Sequence, residues 1–304
     1  MFICQVITGF QKCGKFKFKM KEILKKLYFA LRNLIKSVIS FISVLLFSSI
    51  SSNKKIKNCI NKNHKHNECV VMGNGPSLKF LFEDDFVATR NKDIFAVNFF
   101  CLNKYFIQAK PSFYVLLDPK IFRESDLTSK VDELVSILNE ISWKMILFVP
   151  TGSNNSDAIN SICNSKISIV PFNYTPVEGL ESLENYFFKR NLGMPMPQTV
   201  INATIFLAIN LNYDKIHLYG VEQSWLKHLA VDNNNRVSVD LHHFYKGSDM
   251  TGENRTLSEF LLSQVAVFKS HMRLQKYAVF KGVKILNHTP GTYIDAYERA
   301  LIKK

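Results

Sequence analysis

Two short runs in the 304-residue sequence carry residue types suited to chemistry. Gly73-Asn74-Gly75-Pro76-Ser77 follows directly on the apolar run Cys69-Val70-Val71-Met72. Glycines let backbone N–H groups and the start of a following helix come close to a phosphate. Asn74 tolerates unusual backbone angles or can hydrogen-bond a sugar, Pro76 suits a first helical turn, and Ser77 can cap a helix or donate to a phosphate. The same run also fits a plain strand-to-helix turn without a ligand, and it matches neither the dinucleotide nor the P-loop pattern. The second run is His242-His243-Phe244-Tyr245, inside the polar, aperiodic stretch 231–254. Stretches that long in a compact domain are more often functional than idle. Imidazole titrates near neutral pH, and His243 is the better candidate of the two because the aromatic pair after it can wall a pocket.

The elements that must position these runs alternate between strand and helix. Apolar, β-branched runs predict strands at 69–72, 94–99, 113–117, 145–149, 167–170, 215–219 and 283–286. Between them, Val131, Leu134, Val135, Leu138 and Ile141 recur at helical spacing, VINATIFLAINL (200–211) is a strongly apolar helix, and 257–282 is a long one. The alternation predicts an α/β domain with a mostly parallel, doubly wound, Rossmann-like sheet, whose ligands gather at the carboxyl ends of the strands. Loop 173–176 follows the fifth strand and loop 191–198 precedes the apolar helix; both are candidates for an acceptor side. His217 lies inside a strand and reads as core; His288, beside Thr289-Pro290-Gly291, is a second candidate for the pocket rim.

Charge divides the chain. Of the net +14, +12 sits in residues 1–69, which hold 14 Lys and Arg against Glu22 and Glu68. The remainder is nearly neutral, which argues against a nucleic-acid-binding domain. Six scattered cysteines show no metal-ligand or disulfide spacing. Lysines 12 to 26 precede the uncharged stretch 37–52, which is short of the roughly 20 residues a bilayer span needs. The reading is a membrane-associating arm and polar linker over 1–66, then a ligand-binding domain over 67–304. The arm lies on an anionic cytoplasmic membrane face as a peripheral or single N-terminal anchor.

GNGPSL directly after a first strand resembles the bacterial lipooligosaccharide sialyltransferases (glycosyltransferase family 42). Further motifs agree in order and spacing over roughly residues 69–295: Asn98 in VNFF, Asp118-Pro119 after FYVLL where the family has Asn-Pro, Pro197-Gln198-Thr199 before the apolar helix, and Gly220-Val221-Glu222 where the family has Gly-Ile-Asp. The resemblance implies a GT-A-type fold binding a CMP-sugar without a metal. Gly73, Asn74, Gly75, Pro76, Ser77, Asn98, Asp118, Gln198, Thr199, Gly220 and Glu222 would hold the donor. The absence of an Asp-X-Asp signature agrees with a metal-free site. The family's catalytic histidine falls at His243, the general base, since a glycosyl transfer to a hydroxyl needs a group near neutral pKa to take the proton. Where the family has a tyrosine for the departing phosphate, this chain reads Glu222-Gln223-Ser224-Trp225, and Tyr245 is the substitute donor. Asp118 in place of Asn would accept ribose or sugar hydroxyls and repel phosphate. The implied acceptor is a surface glycan or glycolipid, with no resident cofactor; a homo-oligomer is open. The GNGPS turn is also similar to that of proteins related to archaeal pterin pyrophosphokinases, which keeps a diphosphotransferase open. A non-catalytic nucleotide-sugar-binding subunit of envelope assembly is the third expectation.

Overall fold

The computed structural model describes residues 2–63, 65–123, 129–153, 155–243, 246–253 and 256–300, with side chains from residue 20 onward except in 59–63, 240–243 and 246–253. The chain opens with helices α1 (Phe2–Phe47) and α2 (Ile50–Asn63). The α/β unit then runs β1 (Glu68–Met72), α3 (Leu78–Asp84), β2 (Asp93–Val97), α4 (Phe106–Ala109), β3 (Phe113–Val115), α5 (Ser129–Glu140), β4 (Met145–Pro150), α6 (Asp157–Asn160) and β5 (Ile167–Phe172). It continues through α7 (Glu181–Lys189), α8 (Val200–Asn210) and β6 (Lys215–Tyr219). After β7 (Leu229–Val231), β8 (Val237–His243) and β9 (Lys246–Glu253), the long α9 (Leu257–Lys281) leads to β10 (Lys284–Asn287) and β11 (Glu298–Arg299).

Eight strands form one parallel sheet in the order β11-β10-β6-β1-β2-β3-β4-β5. Both faces are covered, so the strands read as unbroken apolar runs. Val71, Phe95, Phe113 and Val115 face one core with α8 and α9, while Val70, Met72, Ala96 and Tyr114 face the other with α5. Residues 201–210 of α8 are all buried, which accounts for its nearly continuous hydrophobicity. The helix begins at Thr199, whose hydroxyl accepts from Asn202 N while Asn202 Oδ1 accepts from Thr199 N, a capping box.

Two expectations change. The stretch 53–67 is not a linker: α2 packs on β5, with Ile56 and Ser52 fully buried and Ser52 bonded to Thr151. The boundary at residue 66 therefore does not separate two packed bodies. Nor is 231–254 an irregular loop. Its described residues form the antiparallel sheet β7-β8-β9, with a register shift between Leu241 and His243, and Val237 and Val239 bury against Phe260.

Candidate functional site

Strand order fixes where a ligand can sit. From β1 the chain winds outward through β2, β3, β4 and β5, then returns to place β6 on the other side of β1. The crevice outside the carboxyl ends of β1 and β6 is thus the topological switch point, and both motif turns meet there. Gly73 N donates to Tyr219 O (2.8 Å) and Gly75 N to Gly220 O (2.9 Å). A methyl on Gly73 would come 2.2 Å from Gly220 O; on Gly75, 1.5 Å from Glu222 Oε2. Gly220 itself has φ +64°, a left-handed angle that glycine adopts without strain.

A cavity of about 1060 Å³ opens above this junction. Asn74, Gly75, Pro76, Ser77, Asn98, Asp118, Gln198, Thr199, Gly220 and Glu222 all line it. Gly73 lies beneath, in the strand-end hydrogen bonds. The helix start expected to face a phosphate is instead taken by protein: Ser77 N donates to Glu222 Oε1 at 2.6 Å. Ser77 makes no side-chain cap, its Oγ being without a partner, as are the buried Asn74 Oδ1 and Glu222 Oε2.

Asn98 bridges two strand ends. It adopts φ +44°, its Oδ1 accepts from Leu117 N (2.9 Å) and Asp118 N (3.2 Å), and its carbonyl oxygen accepts from the Tyr114 hydroxyl (2.6 Å). Asp118 Oδ1 accepts from Lys120 N and so starts the 3-10 turn Pro119–Ile121.

The opposite wall holds residues the sequence reading did not assign: Gln223, Trp225, Lys227, Ser263 and Gln264. Gln223 Nε2 donates to Thr199 Oγ1 (3.4 Å), so its Oε1 accepts from His271 Nε2 (2.9 Å). His271 is fully buried, and burial pulls its pKa down to about 3. The ring is neutral, and its Nδ1 accepts from the Tyr297 hydroxyl (2.9 Å). A buried chain thus runs from the C-terminal segment through α9 to the cap of α8. Gln264, on the buried face of α9, has a buried Oε1 without a hydrogen-bond partner.

From the candidate acceptor loops, Tyr174, Pro197 and Gln198 reach the cavity. Asn173 does not; it bonds Ser49 and Asn191 in the interior. His288 is also elsewhere. It stacks on Tyr219 (4.6 Å, 4°) and lies 2.9 Å from His217 Nδ1, whose Nε2 meets Glu68 at 3.0 Å, around a separate 360 Å³ cavity. Burial lowers both imidazoles, His288 to about 4. His217 is therefore half-buried in a polar chain rather than plain core, and Pro290 and Gly291 take the rim position assigned to His288. The backbone of His242 and His243 ends β8, their side chains lying outside the described residues, as does all of Tyr245. Among the described residues, no group of three or more His, Cys, Asp or Glu is placed to hold a metal ion.

The fold and site define an α/β protein with a ligand cavity at the switch point of a parallel sheet. No protein-family model matches the chain, and no curated protein matches it.

Proposed function

We propose that this protein is a membrane-associated glycosyltransferase with a GT-A-type fold, moving an acidic sugar from a CMP-sugar to a hydroxyl of a surface glycan, with inversion and without a metal. The observation that supports this reading is the switch-point cavity, into which ten of the eleven expected donor residues converge from separate loops. Its volume suits a nucleotide-sugar, since small-molecule sites run to roughly 300–1,000 Å³.

The chain's own chemistry divides that cavity. Asp118 and Glu222 are acceptors and take ribose or sugar hydroxyls, whereas Lys79 and Lys227 are the cations on the lining and suit the phosphate and the sugar carboxylate. Glu222, seated on Ser77 N, keeps the phosphate away from the GNGPS turn by like-charge repulsion. The Gln223–His271–Tyr297 chain holds the wall around Thr199 rigid. His243, at the end of β8, takes the acceptor proton, and Tyr245 donates to the departing phosphate. The reaction occurs on the cytoplasmic face of the inner membrane.

Thermal shift against CMP, UDP, GDP and ATP tests the donor, followed by transfer assays in excess chelator. CMP should raise the melting temperature most, and transfer should persist. A response to ATP alone would favour the diphosphotransferase reading. Loss of transfer in chelator, restored by magnesium, would overturn the metal-free mechanism.

A further inference from the structure

By length and composition, Met20–Phe47 is a helix apolar enough to cross a membrane. Its packing argues for another arrangement. Residues 33, 36, 37, 40, 43, 44 and 48 recur on one side and turn toward the α/β unit, while the residues between them stay exposed. Ser37 Oγ accepts from Leu180 N, Ser40 Oγ donates to Glu178 O, and Ser48 Oγ donates to Leu192 O. Lys36 and Arg273 of α9 both pair with Glu178, and although burial raises that carboxyl's pKa, the two cations outweigh it and hold it at about 2.

A helix fastened this way from Asn33 to Ser48 cannot also run through hydrocarbon, because the domain's polar loops would have to enter with it. Of the apolar stretch Met20–Phe47, the part ahead of it, Met20 to Arg32, is ~20 Å long at ~1.5 Å per residue, short of the ~30 Å hydrocarbon core. It also carries Lys21, Lys25 and Lys26, and the helix upstream of Met20 adds Lys12, Lys15, Lys17 and Lys19, which keep that part out of hydrocarbon as well.

Opposite the docked side runs a second face. Leu24, Leu27, Leu31, Leu34, Val38 and Leu45, spaced by threes, fours and a seven, are each more than half exposed. This stripe is continuous from the free part of the helix to the fastened part. Cations flank it: Lys21, Lys25, Lys26 and Arg32 against the single acid Glu22. A second copy would bring the same positive flanks together, whereas an anionic bilayer complements them.

We propose that α1 lies in the plane of an anionic bilayer, its Leu24–Leu45 stripe in the headgroup boundary and its serine face bolted to the α/β unit, so that the whole protein is held to the membrane at a fixed orientation. This does not depend on the glycosyl-transfer reading, because membrane binding is measured without substrate.

The full chain is tested with an environment-sensitive fluorescent amino acid placed singly at Leu24, Val38 and Leu45, on vesicles containing phosphatidylglycerol and depth-graded quencher lipids. An in-plane helix gives the same shallow depth at all three positions. Graded depths with one position near the bilayer centre would mean a span and overturn the proposal. In the second arm, Lys25→Gln with Lys26→Gln should weaken binding about 30-fold, from ~1 kcal/mol per basic residue near the surface. Val38→Asp with Leu45→Asp should abolish binding while leaving the melting temperature unchanged. Undiminished vesicle binding by the Asp pair, or a dimer that the Asp pair turns into monomer while binding persists, would show that the stripe faces something other than lipid.

Discussion

The junction of the two glycine turns predicts an asymmetry between neighbouring glycines. In Gly73→Ala the new methyl meets Gly220 O at 2.2 Å and Val221 Cγ1 at 2.8 Å. The first obstacle is backbone, so β1 and β6 must part at their ends. Overpacking of that kind costs about 1–3 kcal/mol, and weakening the Gly73–Tyr219 and Gly75–Gly220 hydrogen bonds adds about 1 kcal/mol each. The total is about 3–5 kcal/mol, or a fall in melting temperature of roughly 5–8 °C for a chain of this size. In Gly75→Ala the nearest obstacle is the Glu222 carboxylate at 1.5 Å, with Gly220 O at 2.7 Å. That side chain can swing away, giving up its bond to Ser77 N, at a cost of about 2 kcal/mol. Urea melts of the two single variants, and of each combined with Glu222→Ala, form two double-mutant cycles. Glu222→Ala should relieve Gly75→Ala by about 1 kcal/mol and leave Gly73→Ala unrelieved. A Gly73→Ala protein within 1 kcal/mol of wild type, or equal relief in both cycles, would refute the packing argument.

Two further outcomes are expected. His243→Ala should leave CMP-sugar binding nearly intact and lower the transfer rate by about 10²–10⁴-fold, the usual contribution of a positioned base; equal rates at saturating donor and acceptor would remove His243 from the mechanism. Stability should also fall in acid. His271 and His288 are held neutral in the fold, at about 3 and about 4, while an unfolded histidine takes up its proton near pH 6.5. The unfolded state thus binds more protons below that value, and their contribution, present above it, is lost as pH falls toward 4. Between pH 7 and 5 His271 accounts for about 2 kcal/mol, and His288 for less because water reaches it. Urea melts at the two pH values check this, and His271→Gln should flatten the difference.

The parallel sheet was legible because its strands, buried on both faces, leave unbroken apolar runs, and the switch point follows from chain order once β6 returns beside β1. The polar elements were not. Of α2, only Ile56 and Ser52 enter the interior among its described side chains, too few to write a helical period into NKKIKNCINKN. In β8 the buried alternation among its described side chains is Val237 and Val239, two positions against a background of Asn, Ser and Asp. The stretch 37–52 read as membrane-seeking because hydropathy does not distinguish serines that hydrogen-bond a domain from serines that face lipid; the spacing of Ser37, Ser40 and Ser48 was the signal. Gln223 and Gln264 line one cavity because the segment after β6 meets α9, as in the Gln223–His271 hydrogen bond, a tertiary contact that a linear pattern does not contain.

Asn98 sets the polarity of what the cavity can read. Its amide oxygen is committed to two backbone N–H groups of the β3 end, and its left-handed φ leaves that geometry with little slack. What remains for a ligand is the amide nitrogen, a donor. Beside it, Asp118 has one oxygen tied to Lys120 N and the other open, an acceptor. The two neighbours therefore present a donor and an acceptor side by side, a directional pair. In the proposed reading, such a pair would favour a ribose or sugar carrying a hydroxyl that donates to Asp118 beside an oxygen that accepts from Asn98, so this corner of the cavity would sort ligands by the order of their hydrogen-bonding groups as well as by size and charge.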